Sequence, residues 1–149
     1  MNTKEDRSIG IIIYHLISGS PEFLIIKHKQ GHWSFAKGHK ESGETEIQTA
    51  VRELKEETGI SDVKFLSENI ELSESYSFNA GRNFKIQKTV DYFIAEVFIK
   101  EINIDRKEIV DFKWCDPDSA VKLLTYTDSG ELLIKAYNKI LNKHEINSK

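Results

Sequence analysis

The order of apolar segments along the chain predicts an α/β or α+β fold built on a mixed β-sheet: strands, one helix, more strands, then helices. Three observations carry that expectation. Two isoleucine-rich runs near the start are too continuously apolar for a strand with one wet face. A charged helical stretch in the middle stops on a glycine, and an Asp-Pro pair opens a helical region towards the end.

Composition sets the frame. With 149 residues, 39% hydrophobic and 30% charged, the chain reads as one globular domain spanning 1–149, long enough to bury a core without disulfides. It shows no internal repeat, low-complexity tract or linker. Cys115 is the sole cysteine, which excludes an intrachain disulfide, and it is expected to sit half-buried beside Trp114. A net charge of -3 argues against unaided binding to nucleic acid or an anionic membrane. The run "IGIIIYHLI" is far shorter than the about 20 apolar residues a bilayer span needs, and no small-residue cleavage site follows it. A cytoplasmic location is expected, with a monomer favoured although nothing in the sequence fixes the oligomeric state.

Residues 9–17 and 23–27 read as two strands flanking the turn-forming "SGSPE". The stretch "KQGHWSFAKGHKESGE", holding Gly31, Gly38 and Gly43, reads as a long loop. A helix is expected from Thr45 to about Thr58, stopped by Gly59 as a left-handed cap. Residues 63–72 and 84–99 look extended, with "NAGRN" as the turn before the second, and 108–114 adds a short strand. Asp116 caps a helix with Pro117 in its first position, and Leu132, Leu133, Ala136, Tyr137, Ile140 and Leu141 give the last helix an apolar stripe.

The middle helix carries the chemistry. Between Glu44 and Glu57 five glutamates face only Arg52 and Lys55. At about 100° per residue, Ile47, Ala50, Val51 and Leu54 form a stripe for the sheet; Glu53 and Glu57 flank it and Glu56 lies further round. Spacings of three and four place these carboxylates within mutual reach. Glu56 and Glu57 also lie near the end of the helix whose dipole disfavours negative charge. Crowded oxygens next to a glycine loop suit a hard divalent cation, which takes carboxylates, phosphate oxygens and water as ligands.

Gly38, Glu44, Arg52, Glu53, Leu54, Glu56, Glu57, Gly59 and Ile60 resemble the Nudix box at every position: glycine, five residues, glutamate, seven residues, then Arg-Glu-aliphatic-any-Glu-Glu-any-Gly-aliphatic. The resemblance implies the Nudix fold, an αβα sandwich around a mixed β-sheet, and hydrolysis of a nucleoside diphosphate linked to another group. It implies that Glu53, Glu56 and Glu57 bind catalytic Mg²⁺, with Mn²⁺ as a substitute, and that Gly38 offers its carbonyl. Arg52 would orient a neighbouring carboxylate by a forked hydrogen bond, and Glu56 is the first candidate for metal bridging and base assistance.

Outside the box, "HWSFAKGHKESGE", "KTVDYFIAEV" and "EIVDFKW" resemble the asymmetrical diadenosine tetraphosphate hydrolases over about residues 9–141. Trp33 and Lys37-Gly38-His39 match their box entrance, whereas Ala36 stands where relatives usually place proline. By that resemblance His32, Lys37 and Lys88 approach the phosphate chain and Glu108 supplements the metal site. Tyr76, Tyr92 and Tyr126 match adenine-binding aromatics, and of Tyr92 and Phe93 only one should face the cleft. The expected reaction is cleavage of diadenosine tetraphosphate to ATP and AMP. Alternatives are pyrophosphate removal from nucleoside triphosphates or RNA 5′ ends, and, in another class, a nucleotide-sensing module that binds without cleaving.

Overall fold

A computed structural model describes residues 2–147. In chain order its elements are β1 (Asn2–Ile17), β2 (Ser20–His28), β3 (Trp33–Ser34), β4 (Ala36–Gly38), α1 (Glu46–Thr58), β5 (Lys64–Phe65), β6 (Leu72–Gly81), β7 (Phe84–Glu96), β8 (Ile109–Cys115), α2 (Pro117–Leu123) and α3 (Thr127–Asn147). The strands form one mixed sheet whose spine runs β3-β2-β1-β7-β5. β1 and β7 run parallel, residues 2–14 against 84–96, while the remaining pairings are antiparallel.

The other edge of β1 serves two neighbours. Residues 9–11 register with 36–38 of β4, and residues 14–17 register with 20–23 of β2. β2 then leaves β1 and pairs with β8. This divergence brings the chain at Gly38 back against the middle of the sheet, directly before α1.

Period-two alternation sends the side chains of β1 into two cores. Ile12 and Tyr14 join Phe23, Ile25, Tyr92 and Ile94 beneath α2 and α3; Ile9, Ile11 and Ile13 join Leu24, Ile26, Phe93 and Ala95 beneath α1. The layers are therefore αβα, and the apolar run is continuous because both of its faces are dry. From α1, Ala50 and Leu54 enter the second core; from α3, Leu132, Leu133, Ala136 and Ile140 enter the first, while Leu141 turns out and is 38% exposed.

Helix α1 has both ends secured. The Thr45 side chain accepts from the Gln48 N–H as the Gln48 side chain accepts from the Thr45 N–H, and Gly59 caps the other end at φ 77°. Several boundaries differ from the sequence reading. The charged start belongs to β1, because residues 2–8 find partners at 84–90. Within "SGSPE" the turn is Ser18-Gly19 alone, both with positive φ, as a two-residue hairpin turn of the favoured twist requires. The expected long loop contains β3 and β4. Of the expected strand 63–72 only Lys64–Phe65 and Leu72 are in the sheet, Leu72 as the first residue of β6, which runs on to Gly81 where no strand was expected. Cys115 is buried. Among the described residues no helix is long and apolar enough to cross a membrane.

Candidate active site

Arg52 organises the acids of α1. Its Nε donates to Glu44 Oε2 at 2.6 Å and one terminal nitrogen donates to Glu44 Oε1 at 3.0 Å, a fork that holds the Glu44 carboxyl down at about 2. The same terminal nitrogen reaches the His39 carbonyl at 2.9 Å; the other donates to Glu53 at 2.9 Å and Glu56 at 3.3 Å. One guanidinium thus ties the helix to the segment that follows β4. Glu53 in turn packs on the backbone of Gly38, where an added Cβ would fall on its carboxyl group.

The three box glutamates occupy different environments. Glu57 is 2% exposed and accepts a 3.3 Å bond from the Lys37 backbone N–H. Burial, then the charges of Glu53 and Glu108, push its carboxyl up to about 9. Burial also raises Glu53, against the pull of Arg52. The Glu56 side chain is 53% exposed and stands outside the cavity described next.

A cavity of about 800 Å³ opens beside Glu57. Glu57, Glu108, Gly38, Lys37, Lys88, His32, Tyr76 and Tyr126 are among the residues that line it. Lys88 is 8% exposed, its ammonium donating to Asp6 at 2.8 Å and Ser8 at 2.6 Å. Burial and the Lys88 charge lower the proton affinity of Lys37. His32 stacks on His28 with centroids 4.5 Å apart, and its other neighbour is Tyr126 at 6.0 Å. Burial keeps both imidazoles neutral near pH 7, His28 falling to about 4.

One expectation needs correction. Tyr92 is fully buried, its ring edge-on to Phe35 in the core, so it cannot stack on a base; Phe93 points into the opposite core, and neither ring faces the cleft. Glu53, Glu56 and Glu57 are held by different partners, and among the described residues no three His, Cys, Asp or Glu side chains are gathered as a ready-made metal-binding group. Arg52 draws Glu53 and Glu56 to itself while Glu57 turns into the cavity. The donor chemistry nevertheless fits a hard cation. Glu53 and Glu108 both load negative charge onto a buried Glu57, a cost that either a proton or a cation removes, and these carboxylates with the Gly38 carbonyl offer oxygen donors.

Sequence reasoning missed His28, Ser8, Glu74 and Phe78, all of which line the cavity. His28 and Ser8 carry no local signal. Glu74 and Phe78 do, since they alternate with Tyr76 on β6 and must share its face.

Comparison with known proteins agrees with this architecture. The model of the NUDIX domain matches residues 6–136. The asymmetrical bis(5'-nucleosyl)-tetraphosphatase of Caenorhabditis elegans is 31% identical over 131 residues, covering 87% of this chain and 92% of that protein. The protein of the same name from Rattus norvegicus is 34% identical over 134 residues, covering 82% and 86%. A crystal structure of a C. elegans Ap4A hydrolase binary complex superposes with a TM-score of 0.74 at 30% identity, covering 87% of this chain and 93% of that one.

Proposed function

The chain belongs to the NUDIX domain family, and from that premise we propose that it hydrolyses dinucleoside polyphosphates, splitting diadenosine tetraphosphate into ATP and AMP with Mg²⁺, or Mn²⁺ in its place, in the cytoplasm. The observation that carries the reading is the composition of one cavity, whose lining brings together carboxylates, two lysines, histidines and two tyrosines. That set of chemistries suits a metal-bound phosphate, a polyphosphate chain and a base. The relatives named above, similar over most of their length, support the same substrate class.

Lys37 and Lys88 neutralise phosphate oxygens. A polyanion between them also relieves the like-charge repulsion that depresses Lys37. Neutral His32 donates a hydrogen bond rather than charge, and Tyr76 and Tyr126 offer ring faces for a base. Glu53, Glu57 and Glu108, with the Gly38 carbonyl, would hold the cation, which supplies phosphate neutralisation and acidifies a bound water. Arg52 gathers Glu53 and Glu56 at one terminal nitrogen. In the reaction the water oxygen bonds to phosphorus, the bridging P–O bond breaks, and a carboxylate takes the water proton. Glu56 is assigned that acceptor role, which requires its exposed side chain to turn from Arg52 towards the cavity when cation and substrate bind. Glu56→Gln should keep the fold and ligand binding while losing most turnover.

The test is hydrolysis in ¹⁸O-labelled water with mass analysis of the products, offering diadenosine tetraphosphate, deoxynucleoside triphosphates and triphosphorylated RNA. Label confined to one of ATP and AMP is expected. Faster turnover of a triphosphate or RNA end would overturn the substrate, and binding without products under saturating Mg²⁺ would make the protein a sensing module.

A further inference from the structure

A carboxylate in a cavity that admits a polyanion opposes charge complementarity, so it needs a ligand group other than phosphate to meet. Glu74 is such a carboxylate. It shares a face of β6 with Tyr76 and Phe78, and all three line the cavity. It is not among the carboxylates whose charges bear on Glu57, which are Glu53 and Glu108, although Glu74 and Glu57 both support the charge of Lys37.

Its position is built from beneath. Glu74 Oε1 accepts a 3.0 Å hydrogen bond from the Tyr92 hydroxyl. That phenol is fully buried, edge-on to Phe35 with centroids 5.6 Å apart, and its ring lies where Gly10 leaves room: a Cβ there would come within 2.5 Å of Cε1. Burial and the Glu74 charge keep the phenol protonated, hence a donor. A donor that cannot move fixes the carboxylate above it and leaves further lone pairs as acceptors towards the cavity.

We propose that Glu74 is a specificity-determining residue that accepts a hydrogen bond from an N–H or O–H group of the nucleoside stacked beside Tyr76, with Tyr92 as its positioning residue. The donor is either the exocyclic amine of adenine or a ribose hydroxyl. An analogue lacking it strands a desolvated carboxylate, so discrimination against that analogue is strong. The inference rests on the substrate class proposed above, and its failure is separable from failure of that reading.

Steady-state kinetics on wild type, Glu74→Gln and Tyr92→Phe would use three substrates: diadenosine tetraphosphate, its 2′-deoxy counterpart and diinosine tetraphosphate, which lacks the amine. No wild-type hydrolysis of any of them would sink the substrate class. Given turnover, wild type should disfavour one analogue by about tenfold or more in kcat/KM, identifying the donor. Both variants should raise KM for the adenosine substrate with kcat within about twofold, and shrink the preference over that analogue. Tyr92→Phe keeps the ring in the core, so a purely structural defect would lower all three substrates alike and overturn the proposal. Unchanged selectivity in both variants, or a fall in kcat at constant KM, would overturn it too.

Discussion

Gly38→Ala separates folding from catalysis. Gly38 is absent from the positive-φ residues, so alanine can adopt its backbone conformation. What alanine cannot do is share space with the Glu53 carboxyl, which lies where the new methyl group would stand. The displaced group is the end of a flexible side chain, so the fold yields cheaply. The main loss is the charge-assisted Arg52–Glu53 bond of 2.9 Å, worth about 1–2 kcal/mol with Arg52 keeping its other acceptors. For a chain of this length that lowers Tm by roughly 2–8 °C. Activity should suffer far more if Glu53 holds the cation as proposed, because a catalytic group moved by about 1 Å costs on the order of 10²-fold in rate. Thermal melts and kcat/KM on diadenosine tetraphosphate measure the two effects. In a Glu53→Ala background Gly38→Ala should cost nothing further, since its victim is already gone. A single mutant with kcat/KM within about threefold of wild type, or a further large loss in the Glu53→Ala background, refutes the reasoning.

Three further outcomes follow from the geometry. Arg52→Lys loses the fork on Glu44 and cannot span Glu53, Glu56 and the His39 carbonyl together, so kcat should fall about 10²-fold or more with little change in KM. Glu57 keeps its proton in the fold up to about pH 9 against an ordinary value of 4.5; between these the unfolded chain releases a proton that the folded chain retains, and stability falls as pH rises. Urea melts of cation-free protein should show that slope, Glu57→Gln should flatten it, and added Mg²⁺ should stabilise wild type most at the alkaline end. Gly59→Ala puts a side chain at φ 77° and 3.1 Å from the Asn103 Cβ, costing about 1–2 kcal/mol, which a Tm lowered by several degrees would register.

The box helix was legible because its information is local. Cap, apolar stripe, box spacing and terminal glycine fall within residues 38–60, and the rotation that set Glu57 beside the stripe and Glu56 further round matches their burial. The start of β1 was illegible for the opposite reason: residues 2–8 are polar and become a strand through partners some 80 positions away. Tyr92 and Tyr76 illustrate the remaining limit. Both are tyrosines in strands, and only the neighbours of each face decide that one is core and the other wall. Glu74 shows that alternation along β6 held information the aromatic resemblance left unused.

The two-core role of β1 bears on how the chain is made. Residues 9–13 offer no solvent-facing position, so the segment must leave the ribosome as an unbroken sticky run. Its parallel neighbour at 91–95 is translated about 80 residues later, a delay of roughly 4–16 s at ordinary elongation rates. Through that interval the ionic residues of "NTKEDRS" stand immediately upstream as gatekeepers against association with other nascent chains, before Asp6 and Ser8 of that stretch take the Lys88 ammonium.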